Sequence, residues 1–140
     1  MDDLSNLRSV VCHARDVFEQ IVQDSLETKD MKGTCGIATC YLMYVIQKFT
    51  EYKCFARGGD GDSDGGYIDH LGQMHGHYWV EVHTPSINFV VDITADQFGG
   101  DQVVFLPLEQ SHQYINGRQD LIDEHVIHIR EMFFSSLGVQ

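Results

Sequence analysis

The segment from about Cys35 to Phe49 limits the possible folds more than any other part of this chain. Ile37, Ala38, Cys40, Tyr41, Leu42, Met43, Tyr44, Val45 and Ile46 would leave a helix there apolar or nearly so on every face. A helix with no polar side must be covered all round by other elements. On its N-terminal side, Leu4, Leu7, Val10, Val11, Ala14, Val17, Phe18, Ile21, Val22 and Leu26 recur at three-to-four spacing. They predict an amphipathic helix from Leu4 to Leu26, with Asp2 or Asp3 at its start. A last helix is predicted over Asp120 to Ser135, with Leu121, Ile122, Val126, Ile129, Met132 and Phe133 on its apolar stripe.

Between the helices the period changes to two. Tyr52 to Ala56 predicts a short strand, and Arg57 to Gly66 a loop. His77 to Val82 and Ile87 to Ile93 predict strands joined by a turn at Thr84-Pro85-Ser86, and Val103 to Leu108 a further strand. Helices first, antiparallel strands next and a helix last give an α+β fold, with the N-terminal and central helices packed on an antiparallel sheet. The 140 residues suit a single domain spanning 1–140.

Charge narrows the list of partners. Nine Lys and Arg against 21 Asp and Glu leave a net charge of −12, so the chain lacks the basic footprint that nucleic acids require. An anionic membrane surface would repel it, and no apolar run approaches the length of a membrane span. Met1-Asp2-Asp3 has neither the basic start nor the apolar core of a signal peptide, so a cytoplasmic location is expected. The four cysteines, Cys12, Cys35, Cys40 and Cys54, contain no C-x-x-C and do not make a disulfide scaffold.

Two features could carry chemistry. The first is Cys35, which follows Gly33-Thr34 and opens the buried helix, where free N–H groups and the helix dipole favour a thiolate. Gly33 and Gly36 leave the backbone uncovered, so a substrate carbonyl could accept an N–H bond there. The second is the hairpin: a tight turn pairing Val82 with Ile87 would put His77 directly opposite Asp92 on one face. A register slip of one residue would separate them. Cys35, His77 and Asp92 then supply a nucleophile, a base and a group that orients the base. Cys40, followed by an aromatic residue, is the rival nucleophile, and His75, two residues from His77, is the rival base. Trp79 and Glu81 share the His77 face. Trp79 is expected to pack beside the site, and with Gly33, Thr34 and Gly36 it completes the expected substrate-contacting set.

Two metal motifs are incomplete. Asp60-Gly61-Asp62-Ser63-Asp64-Gly65 copies the first half of an EF-hand loop, but Leu71 stands where the bidentate Glu belongs. It is expected to be a flexible acidic loop next to the strand that ends at His77, with a lid as one role for it, and a calcium-dependent regulator is a minor alternative. His75-x-His77 has no third ligand at zinc spacing. No metal or cofactor is expected.

Gly33-Thr34-Cys35-Gly36-Ile37-Ala38, His77-Tyr78-Trp79-Val80-Glu81-Val82 and Val91-Asp92-Ile93-Thr94 together resemble the core of the transglutaminase-like cysteine enzymes, within the broader papain-like group. The resemblance covers roughly residues 33–99. It departs from the family pattern in having Ile93 where a proline usually follows the aspartate. It implies a papain-like or transglutaminase-like core and a Cys35–His77–Asp92 triad; the resemblance to papain-like enzymes also implies that an amide side chain could complete the oxyanion hole, with Gln20, Gln23 and others left open. The activity implied is that of a cysteine-dependent peptidase, amidase or glutamine deamidase acting on a peptide or protein. An acyl-transferring transglutaminase and an inactive binding module on the same fold are the alternatives.

Overall fold

The computed structural model describes residues 3–26, 34–62 and 64–136. Three helices, α1 (Asp3–Leu26), α2 (Cys35–Phe49) and α3 (Gln119–Ser136), pack on an antiparallel sheet, which makes the chain α+β. The sheet contains β1 (Lys53–Gly59), β4 (His77–His83), β5 (Asn88–Asp92) and β6 (Val104–Pro107), in the order β1-β4-β5-β6. A second, three-stranded sheet is built from β2 (Gly66–Ile68), β3 (Met74–His75) and β7 (Tyr114–Ile115), in the order β3-β2-β7. The sequence pattern did not predict this sheet, because strands of two or three residues are too short to show an alternation.

Alternation in β4 and β5 sorts the side chains onto two faces. Val80, Val82, Phe89 and Val91 meet Leu7, Val11, Ala14 and Phe18 of α1 and Ala38, Leu42 and Ile46 of α2 in the main core. On the opposite face, Trp79 and Val90 are closed over by Tyr67 of β2 and Tyr114 of β7. The sheet is therefore buried on both sides, by helices on one and by the small sheet on the other. Cys40 of α2 joins Ile122 and Val126 of α3 in a third cluster, so α2 is flanked by α1, the sheet and α3. At its C-terminus Thr50 is extended (φ −138°, ψ 169°) and its hydroxyl donates to the Ile46 carbonyl at 2.7 Å, which ends the helix.

Two expectations need correction. β1 continues through Arg57, Gly58 and Gly59, which were expected to open a loop. Gly58 fits because the Tyr78 ring lies across it, and a Cβ there would meet that ring at 2.2 Å. The acidic loop that follows is tied down rather than open. Asp60 Oδ1 accepts the amides of Asp62 and Asp64 at 2.8 and 3.2 Å, and both oxygens of Asp64 accept the Arg118 amide at 3.1 Å. The Asp60 and Asp64 carboxylates are spent on the loop's own backbone and on the approach to α3.

A buried cation fastens α1 to the far end of the sheet. Arg15, 3% exposed, donates to the Ile93 carbonyl (2.7 Å), to both carboxylate oxygens of Asp96 (2.9 Å each) and to the Gln102 carbonyl (3.2 Å). Only the planar guanidinium fork can serve that many acceptors at once. Arg15→Met is expected to cost about 2–4 kcal/mol, because it leaves Asp96 and two carbonyls without their donor. Arg15→Lys should recover only part of that loss. Urea denaturation of the three proteins checks the ranking.

Candidate active site

The β4–β5 hairpin is wider than a tight turn. Its last pair is His83 with Asn88, and the Thr84 amide and hydroxyl both donate to the Ile87 carbonyl, at 3.2 and 2.5 Å. Val82 therefore pairs with Phe89 instead of Ile87. A shift of two residues keeps every side chain on its expected face. It moves Asp92 from directly opposite His77 to a diagonal position, still within reach for long side chains. His77 Nε2 lies 2.7 Å from Asp92 Oδ2.

Both groups are buried, at 2% exposure each, so the full set of partners matters. Asp92 Oδ2 also accepts the Tyr114 hydroxyl at 2.8 Å, while Oδ1 accepts the Thr94 amide (2.9 Å) and hydroxyl (3.4 Å). Burial would raise the Asp92 pKa. The His77 charge and hydrogen bond, with help from Thr94 and Tyr114, outweigh it and hold the carboxyl below its ordinary range. Burial likewise disfavours a charged His77, but Asp92 and then Cys35 reverse this and push the imidazole up to about 9. Tyr114 is pushed well above an ordinary phenol by burial and by the adjacent carboxylate.

A carboxylate only accepts, so Nε2 of His77 carries a hydrogen and Nδ1 is the nitrogen left to exchange a proton. Cys35 lies near enough to His77 to be among the groups that raise its pKa. The third group beside the ring is Gln97, whose Nε2 lies 3.3 Å from Nδ1. Gln97 sits in a 3-10 turn, Ala95–Phe98, that folds back over the sheet directly after Asp92. The edges of Phe98 and Tyr67 close the flanks of the imidazole, with ring centroids 5.2 and 5.7 Å away.

Cys35 is half-exposed at the first position of α2, and Thr34 precedes it without a side-chain cap bond to the helix amides. Gly36 lets α3 approach closely: a Cβ there would lie 2.6 Å from Cδ1 of Ile129, whose side chain would have to shift. Tyr78 flanks the same spot, and its hydroxyl is hydrogen-bonded to His125 of α3. Gly33 lies outside the described residues. Trp79 is 1% exposed and packs on Tyr114 and His77. It has no surface left for a ligand and supports the pair from beneath, which corrects its place in the substrate-contacting set.

The rivals have other partners. Cys40 is buried, donates toward the Val126 carbonyl at 3.5 Å and is pushed up to about 11 by burial. Cys54 is also pushed up to about 11 by burial. His75 Nε2 pairs with Asp69 at 2.7 Å and its ring stacks on Phe98. Glu81 is taken up by Arg57 and His83. Gln20 is exposed on α1, and the Gln23 side chain lies outside the described residues. The sequence reading missed both Tyr114 and Gln97. For Gln97 there was a signal: Asp-x-Thr with the Asp accepting the Thr amide is a local turn, and it folds the next residues back onto the aspartate's face. Tyr114, 22 residues from Asp92, had none.

Among the described residues no group of three or more His, Cys, Asp or Glu could hold a metal ion, and no helix is long and apolar enough to cross a membrane. In comparisons with known proteins, no family model, curated protein or solved structure matches this chain.

Tyr114→Phe removes one donor from a buried carboxylate and is expected to cost about 1.5–3 kcal/mol at neutral pH. The loss should be full above the carboxylate range and shrink as pH falls through it, because a protonated Asp92 no longer needs that donor. For His77, raised from 6.5 to about 9, the direction is opposite: its contribution is full below about pH 6.5 and is lost as pH rises through about 9. Denaturation curves of both proteins between pH 3 and 10 check both signs.

Proposed function

We propose that this chain is a cysteine-dependent amide or peptide hydrolase with a papain-like or transglutaminase-like core, acting on a peptide or protein through a thioacyl intermediate on Cys35. The observation that carries this reading is the buried imidazole of His77, held by Asp92 on Nε2 with Cys35 near enough to help raise its pKa. A core histidine without a chemical task needs neither a buried carboxylate nor a half-exposed thiol at a helix start. That combination meets the requirements for an activated nucleophile.

In this mechanism the thiol proton passes to His77 Nδ1 and the sulfur attacks the amide carbonyl carbon. The carbonyl oxygen becomes an oxyanion at the N-terminus of α2, where the helix dipole and the Cys35 amide favour negative charge. Collapse of this adduct breaks the C–N bond, and Nδ1–H protonates the departing amine. Water then enters, gives a proton to Nδ1 and attacks the thioester, and the carboxylic acid product and the free thiol are released. Asp92 fixes the tautomer throughout and stabilises the imidazolium. Hydrolysis is favoured over transfer to an amine because water needs no acceptor site.

Two measurements test the reading. Iodoacetamide at neutral pH should label Cys35 ahead of Cys12, Cys40 and Cys54 by peptide mapping; labelling of Cys40 first, or four equally slow thiols, would count against it. Turnover of an activated ester or amide should fall by about 10⁴-fold in Cys35→Ala and in His77→Ala, with the double variant little worse than either single one. Asp92→Asn should retain more activity than Cys35→Ala. A folded Cys35→Ala with undiminished turnover would remove the covalent mechanism altogether.

A further inference from the structure

β6 is an edge of the main sheet, and the hairpin fixes which of its backbone groups face outward. The Thr84 amide donates to the Ile87 carbonyl, and bonded pairs alternate with non-bonded ones along an antiparallel ladder. The Phe89 and Val91 backbones therefore bond to β4. Those of Val90 and Asp92 bond to β6, where they meet Leu106 and Val104. Phe105 and Pro107 thus turn their backbone groups away from the sheet, and a proline, with no N–H to give, suits that side. Among the described residues the Phe105 N–H and carbonyl have no backbone partner.

This edge lies at the floor of a cleft of about 680 Å³. Phe105 faces α1 and Val104 faces the small sheet, and both line the cleft. Arg8 and Cys12 of α1 form one wall, and Tyr67 and Tyr114 the other. A cavity that touches both faces of one strand passes over the strand's edge. The recess selects against a second copy of this chain, whose own β6 is walled in the same way and whose net charge of −12 repels this one. On the α1 wall, the Arg8 guanidinium lies 4.5 Å from the Phe105 ring centroid and has no carboxylate partner among the described residues. Residues opposed across an antiparallel pair share a face, so a side chain opposite Phe105 points at Arg8. Asp101, the acidic residue of the cleft, is four positions upstream and meets a different part of a bound strand. We infer that the cleft is a docking site for an extended peptide segment with an acidic residue opposite Phe105. The segment adds to β6 as a fifth strand, antiparallel like the other pairs of this sheet, through the Phe105 N–H and carbonyl.

This docking goes beyond the proposed hydrolase and needs neither Cys35 nor His77. The probe is the peptide Thr-Val-Glu-Val-Thr, amidated at its C-terminus and carrying fluorescein on an N-terminal linker, read by fluorescence anisotropy on the intact chain. Saturable binding is expected, equal in the parent and in Cys35→Ala. Methylating the amide nitrogen of the central Glu removes the donor to the Phe105 carbonyl and should weaken binding by about tenfold. Arg8→Glu, an exposed change on α1, should weaken the probe by about fivefold and reverse the preference toward a probe with a central Lys. No saturable binding below about 1 mM, or binding indifferent to the N-methyl group, would overturn the inference. So would self-association that excludes the probe in analytical ultracentrifugation, because the edge would then belong to a second copy. Loss of binding in Cys35→Ala would place the peptide at the thiol and overturn it as well. Failure of the hydrolase reading shows only in turnover and thiol labelling, and leaves the binding result standing.

Discussion

Asp92 puts a full negative charge between two sheets, and much of the surrounding architecture can be understood as the means of keeping it there. Moving a carboxylate out of water costs several kcal/mol, and the cost is recovered only if each lone pair finds a donor in good geometry. The donors here come from distant parts of the chain: His77 on the neighbouring strand, Tyr114 on the small sheet, and Thr94 just downstream. None can be moved independently of the others. The small sheet is needed in part because Tyr114 must reach the carboxylate from that side.

Residues 93–102 link this polar interior to the helices. One side of the segment is gripped by Arg15 of α1, and the other presents Gln97 and Phe98 to His77. Charge on one face of the segment is therefore coupled to ring orientation on the other, through a short stretch of backbone with little freedom. Buried polar arrangements of this kind are favourable only when complete, and among the described residues no buried side-chain polar atom is left without a partner.

The large elements were legible in the sequence because each is governed by its own period. Helix α2 begins at Cys35 and ends at Phe49 as expected, since a run of apolar helix formers stops at an extended β-branched Thr50. β4 and β5 follow from alternation, and their faces survived a register error because the offset was even. The strand formed by Arg57-Gly58-Gly59 was hidden, as a pair of glycines predicts a loop unless the Tyr78 ring across them is known. β2, β3 and β7 were hidden by their brevity. At the site, Cys35, His77 and Asp92 could be singled out from local pattern, whereas Tyr114 depends on a contact that no local window contains.

The chain order of these parts also bears on how the protein comes into being. By the time residue 100 has left the ribosome, the thiol, the imidazole and the carboxylate have all been made, but β7 and α3 have not. Until Tyr114 arrives, Asp92 lacks one donor and one face of the sheet lacks part of its cover; until Ile129 arrives, Gly36 at the start of α2 lacks its closest neighbour from α3. Long-range pairings of this sort form late, because loop closure has to precede any gain from them. Until then Cys35, His77 and Asp92 are present in the chain without the surroundings that hold them in the fold.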